Sequence, residues 1–196
     1  MISKIVFATN NPNKLFEVQN LLGSDCILLS PDNIGCYEYI PENQPSLEGN
    51  ALEKARFIFE RYTINCFADD TGLEIDSLNG KPGVLSARYA GPSKDPLKNM
   101  EKVLEELKGI TNRNARFRTI IALIWEGKEY SFEGIVNGTI LESAHGDKGF
   151  GYDPIFKPAG FNITFAEMNI GDKNKISHRT IAINKLVRFL TKEIKT

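Results

Sequence analysis

The sequence Ile5-Val6-Phe7-Ala8-Thr9-Asn10-Asn11-Pro12-Asn13-Lys14-Leu15 passes from four apolar or small residues, through five polar or turn-forming ones, into helical periodicity. The apolar run reads as a buried strand. Beyond the break, Leu15, Val18, Leu21 and Leu22 recur at three- and four-residue spacing, which predicts a helix. Asn11 is a good N-cap, Pro12 suits the first helical position, and Gly23 is placed to end the helix. Strand, polar turn and helix in that order open an α/β unit.

The pattern continues outward. Ser46 caps a predicted helix running to about Tyr62, with Leu47, Ala51, Ala55, Ile58 and Phe59 on its inner side. Asn65-Cys66-Phe67-Ala68 reads as a second buried strand that ends abruptly at Asp69-Asp70-Thr71-Gly72. A third helix is predicted over Pro96–Leu107. Residues Ala115–Trp125 and Glu129–Ile140 predict an antiparallel pair turning at Glu126-Gly127-Lys128. Ser177 caps a last helix with Ile183, Leu186, Val187 and Leu190 inward. These elements predict an α/β fold built on a long, twisted, mixed sheet flanked by helices, with two lobes and an active-site cleft between them.

Bulk properties narrow the class. The 196 residues fit one large domain or two closely packed lobes sharing a sheet, and 41% hydrophobic with 25% charged content is ordinary for a globular chain. A net charge of −1 without a basic run gives no footprint for nucleic acid. Cys26, Cys36 and Cys66 form no CxxC pair, which suits a reducing compartment. No apolar run approaches the ~20 residues that span a bilayer, and the first residues lack a signal-peptide core. A cytoplasmic protein with no membrane partner is expected.

Four polar clusters exceed what folding requires. Thr9 to Lys14 places free backbone N–H groups and a lysine at a helix start, an arrangement suited to an anion; alone it reads equally as a polar turn with a solvated lysine. Asp69-Asp70 are adjacent carboxylates that repel unless a cation or donors hold them, and all-oxygen ligation points to Mg²⁺ over zinc. The alternative is one turn-capping aspartate and one solvated one. Phe150-Gly151-Tyr152-Asp153-Pro154 offers aromatic faces for a base, or simply a packed turn. Ser177-His178-Arg179, with Lys173 and Lys175 upstream, puts cations at the positive end of a helix dipole, where some other demand must favour them. Together these make an inventory for hydrolysing a nucleotide.

With these motifs in order, the chain closely resembles the inosine triphosphate pyrophosphatase family, the XTP/dITP pyrophosphatases. Thr9, Asn11 and Lys14 meet its Thr-x-Asn-x-x-Lys pattern; Ser46 to Ala55, Ala68 to Leu73, Pro82-Gly83, Ser86-Ala87-Arg88-Tyr89, Gly91, Phe150 to Phe156 and Ser177-His178-Arg179 follow at the family's spacing. The resemblance implies a single two-lobed domain over residues 1–196, a homodimer, that hydrolyses non-standard purine nucleoside triphosphates (ITP, dITP, XTP) to the monophosphate and pyrophosphate. It implies that Lys14, Thr9 and Asn11 hold the phosphates, with Asn10 and Thr71 among the substrate contacts. Glu42, Asp69 and Asp70 form the metal set for Mg²⁺, and Asp70 orients or deprotonates the attacking water. Phe150 packs on the purine beside Gly151, Tyr152 and Asp153, while Lys173, His178 and Arg179 reach the base edge. The chain departs from the family at Thr71, often serine, at Pro41-Glu42-Asn43, often glutamate-rich, and at Gly49, commonly acidic. These departures leave Glu42 and Glu48 open as the metal ligand. Rival readings are a septum-inhibition (Maf-like) pyrophosphatase of different base preference and a nucleotide-binding regulator without turnover.

Overall fold

The computed structural model of the chain describes residues 3–22 and 26–194. Strands β1 (Ser3–Phe7), β2 (Cys26–Leu29), β3 (Cys66–Ile75), β4 (Asn114–Trp125), β5 (Lys128–Ile140) and β6 (Phe156–Pro158) form one sheet in the order β2-β1-β3-β4-β5-β6. β1 runs parallel to β2 and β3, whereas β6 is antiparallel to β5, so the sheet is mixed and the fold is α/β as expected. The helices are α1 (Pro12–Leu22), α2 (Leu47–Tyr62), α3 (Pro96–Glu106), α4 (Ile170–Ile176) and α5 (His178–Ile194).

The chain divides into two compact units. The first takes residues 1–70, 119–133 and 181–196; the second takes 71–118 and 134–180. Three strands and α5 pass from one unit to the other, the crossings falling after Asp70, Arg118, Glu133 and Thr180.

Each unit has its own core. In the first, Ile5, Phe7, Val18, Phe67, Ile121, Leu123, Ile183 and Leu186 are buried together. Phe7 and Phe67 are register partners on β1 and β3, and their rings stack at 4.5 Å. Each such side chain contributes about 1.5–3 kcal/mol on burial. In the second, Leu73, Ile75, Val103, Leu107, Ile155 and Phe156 pack with Phe117 and Phe165.

Several expectations need correction. The strand at Cys66 does not stop at the aspartates; it continues through Asp69-Asp70-Thr71-Gly72 to Ile75, because both acids find partners within an extended strand. β2, β6 and α4 were not foreseen. α4 starts at Asn169, whose side chain accepts from Asp172 N–H, and it precedes the Ser177 cap directly. The hairpin between β4 and β5 uses only Glu126 and Gly127, at φ 50° and 75°; two consecutive positive φ values are the signature of a tight type I′ loop, so Lys128 belongs to the strand. α3 ends at Glu106, with Leu107 as its cap. The inner face of α2 carries Asn50 and Lys54 as well as the apolar residues, while Phe59 is only partly buried. The expected stop at Gly23 and the side chain of Leu21 lie outside the described residues.

Candidate active site

In the first unit the polar residues converge around α2 and the middle of β3. Asn11 caps α1 as its sequence suggested: Lys14 N–H donates to Asn11 Oδ1 at 3.4 Å, and Asn11 N–H donates to Thr9 Oγ1 at 3.2 Å. This folds Thr9, Asn11 and Lys14 into one turn, with Asn10 exposed between them. Lys14 Nζ meets Asp69 Oδ1 at 2.7 Å, and Asp69 is 1% exposed. A buried carboxylate requires such a partner.

Successive strand residues face opposite ways, so Asp70 turns from Asp69 towards α2. Asn50 Nδ2 donates to Asp70 Oδ2 at 3.0 Å, and Lys54 Nζ lies 3.7 Å from Asp70 Oδ1. The same ammonium donates to Glu42 Oε1 and to Asp69 O, both at 2.7 Å. Lys54, 5% exposed, is thus the hub of the cluster. Burial opposes its charge, but Asp70, Asp69 and Glu42 together outweigh burial and hold its pKa above the usual lysine value. For Asp70 burial prevails: its pKa is pushed above the usual carboxylate range, and Lys54, Lys14 and the Asn50 hydrogen bond only partly offset this. Thr71 follows in β3, half-buried. Glu48 is exposed in the first turn of α2, whereas Glu42 sits against Lys54.

The donor chemistry fits a hard divalent cation. Glu42 and Asp70 both turn a carboxylate oxygen towards one positive centre, and Mg²⁺ commonly takes one or two carboxylates, leaving the rest to phosphates and water. Among the described residues no group of three or more His, Cys, Asp or Glu side chains forms a ready-made metal cage.

In the second unit, Phe150, Asp153, Lys173 and Arg179 come together. Asp153 Oδ2 accepts from Lys173 Nζ at 2.6 Å and from Phe150 N–H at 2.8 Å. Gly149, at φ +75°, makes room for this; a Cβ there would lie 2.1 Å from Asp153 Oδ2. Phe150 is 40% exposed, with the Lys173 ammonium 5.0 Å and the Arg179 guanidinium 5.7 Å from its ring centre. Tyr152 behaves otherwise. It is buried, and its hydroxyl donates to Ser86 O at 2.8 Å. Tyr152 thus takes the packed-turn reading of this motif, while the Phe150 ring stays part-exposed. Gly151, at φ 65°, links them. His178 is buried and stacks on Phe117 at 4.7 Å, and Ser177 Oγ caps α5 by accepting from Thr180 N–H.

Sequence reading missed Lys54 and Asn50. Both lie on the buried face of α2 at a four-residue spacing, where polar residues among Leu47, Ala51, Ala55 and Ile58 were the available signal.

The Ham1 family profile matches residues 5–189, and the motifs just placed in space fall within it. The chain belongs to the Ham1 family. A dITP/XTP pyrophosphatase of Flavobacterium johnsoniae is 50% identical over 188 residues, covering 96% of this chain and 98% of that one. One from Christiangramia forsetii is 51% identical, covering 96% of this chain and all of the other. The solved structure of the Staphylococcus aureus Ham1 protein matches this chain with a TM-score of 0.91 at 35% identity, covering 97% of this chain and all of that one. The Ham1 match agrees with the family resemblance carried by the sequence motifs.

Proposed function

We propose that this chain hydrolyses non-standard purine nucleoside triphosphates, dITP, ITP and XTP, to the monophosphate and pyrophosphate. The observation that carries the reading is its near full-length likeness to proteins named dITP/XTP pyrophosphatases. The residue chemistry of the two clusters supports it. Lys14, Thr9 and Asn11 supply cation and donors for phosphate. Phe150 offers an aromatic face flanked by two cationic donors, Lys173 and Arg179.

Phosphoryl transfer depends on positioning and charge neutralisation. Lys14 and Lys54 lie at the acids and would screen negative charge as the polyphosphate arrives. Asp70 orients or deprotonates the attacking water. Mg²⁺, held by Glu42 and Asp70 with Asp69 close by, would neutralise the phosphates and stabilise the departing pyrophosphate. Lys173, His178 and Arg179 read the base edge. Hypoxanthine and xanthine present an oxygen at C6 to these donors, where adenine presents an amino group and leaves donor facing donor. The resemblance extends the reading to a homodimer in the cytoplasm, which sedimentation and fractionation test. No helix among the described residues is long and apolar enough to cross a membrane.

The deciding experiment incubates the protein with dITP, ITP, XTP, GTP, ATP and dUTP, with Mg²⁺ or EDTA, and identifies the products. Mg²⁺-dependent pyrophosphate with IMP or XMP, and little turnover of ATP or GTP, is expected. Orthophosphate would place attack at the γ-phosphorus and overturn the phosphate assignment. Turnover chiefly of pyrimidine nucleotides would favour the septum-inhibition reading.

A further inference from the structure

Asn50 has no role in the chemistry assigned so far, yet it joins two of its parts. It lies one turn into α2, 1% exposed, with its backbone N–H donating to Ser46 O. Its side chain works on both sides. Oδ1 accepts from the backbone N–H of Gln44 at 2.9 Å, and Nδ2 donates to Asp70 Oδ2 at 3.0 Å. A backbone N–H can face only an acceptor, so Gln44 fixes which way the amide points and leaves the NH₂ for the carboxylate.

The segment Asn50 grips is the one that carries Glu42. Glu42 meets Lys54, Asn43 N–H donates to Glu53 Oε2 at 2.8 Å, and Gln44 N–H donates to Asn50. Three consecutive residues are thereby tied to α2. The approach is close: a Cβ on Gly49 would lie 2.6 Å from Gln44 Cβ. Lys54 also reaches Asp70, but at 3.7 Å and on a flexible four-carbon stem. The short Asn50 side chain has fewer torsions to freeze and makes the nearer contact.

We propose that Asn50 is a positioning residue for Asp70: its amide occupies Oδ2, leaves Oδ1 as the oxygen presented to water and the divalent cation, and keeps that oxygen in register with Glu42 through Gln44. This rests on the pyrophosphatase reading above. An aspartate at position 50 separates the two halves of the role. It still accepts from Gln44 N–H, so the segment stays tied, but it faces Asp70 with an acceptor instead of a donor.

The test compares the native chain, Asn50→Asp and Asn50→Ala. Three quantities are measured for each: steady-state dITP turnover, calorimetric binding of α,β-methylene dITP with and without Mg²⁺, and thermal unfolding. Asn50→Asp is expected to stay folded and to bind the analogue within threefold of native in the absence of Mg²⁺. Its kcat should fall about 10²-fold with KM within threefold, the scale of loss when a reacting group is misplaced. The enhancement of analogue binding by Mg²⁺ should change in the same variant. Asn50→Ala should lose kcat similarly and also unfold at lower temperature, since Gln44 N–H is released too. Native-like kcat in Asn50→Asp would overturn the proposal. So would failure of that variant to fold or to bind the analogue, which would make Asn50 a residue of the fold alone. Absence of dITP turnover by the native chain would remove the pyrophosphatase reading itself, and the proposal with it.

Discussion

Consecutive positions of an extended strand face opposite ways, and at Asp69 and Asp70 that parity assigns each acid its own lysine. Asp69 is held by Lys14 and buried; Asp70 is shared by Asn50, at Oδ2, and Lys54, at Oδ1. Asp70→Asn keeps the shape and can still accept from Asn50, so stability should change by no more than about 1 kcal/mol. Turnover should fall by roughly 10²–10⁴, the usual range for removing a general base. Unaltered kcat alongside an unaltered denaturation midpoint would remove Asp70 from the mechanism. At the other cluster, Arg179→Ala should reduce the ratio of kcat/KM for ITP over ATP by at least about tenfold, because a hydrogen-bonded base edge can supply discrimination well beyond that. A ratio is the proper measurement, since Arg179 is 4% exposed and its loss also weakens the fold. An unchanged ratio would put base recognition elsewhere.

Among the elements, β3 is the one whose continuation matters most. Gly72 follows the acids and lies against Gly83, such that a Cβ would come within 2.6 Å of Gly83 O. Gly72→Ala must push two backbones apart, and it should lower stability by about 1–3 kcal/mol with an unchanged m-value in urea. A midpoint equal to native would show that the contact yields freely. The strand itself was only half legible. Cys66-Phe67-Ala68 is apolar and reads as strand, but Asp69-Asp70-Thr71-Gly72 has the composition of a turn, and the partners that keep it extended, Lys14 and Lys54, are 55 and 15 residues away. α1, α2 and α5 were legible because their caps and periodicity are local, and α3 from its apolar spacing alone; Ser46 and Asn11 make the bonds their positions imply. α4 was within reach, since Asn169 is an N-cap residue type whose Oδ1 accepts from Asp172 N–H while its Nδ2 donates to the Asp172 carboxylate. β2 and β6, four and three residues long, carry too short a pattern to read. In the candidate site, the charged residues of the motifs could be named. What could not be seen was that Tyr152 is buried against Ser86 and that Asp153 is buried, holding Phe150 N–H and Lys173, because burial depends on the fold.

At the scale of the whole molecule, stability should depend on alkaline pH. Cys66 is fully buried, and burial pushes its thiol up from 9.0 to about 12. The folded chain keeps a proton that the unfolded chain releases, so this contribution is intact below pH 9 and is lost as pH rises from there towards 12. The slope from this one group approaches about 1.4 kcal/mol per pH unit. Cys66→Ala should therefore unfold with a flatter dependence between pH 9 and 11, by close to one proton in the linkage slope. Equal slopes would mean that the thiol ionises without unfolding. The four crossings between units bear on something further, the order in which the ribosome delivers the chain. Ala182, Ile183, Leu186 and Leu190 belong to the core of the first unit, together with Ile5 and Phe7. That core cannot close while its last segment is still being synthesised, whereas every residue of the second unit has been translated by Thr180. The half that is begun first is thus the half that must be finished last, and an interrupted translation product would expose the sheet face that α5 covers.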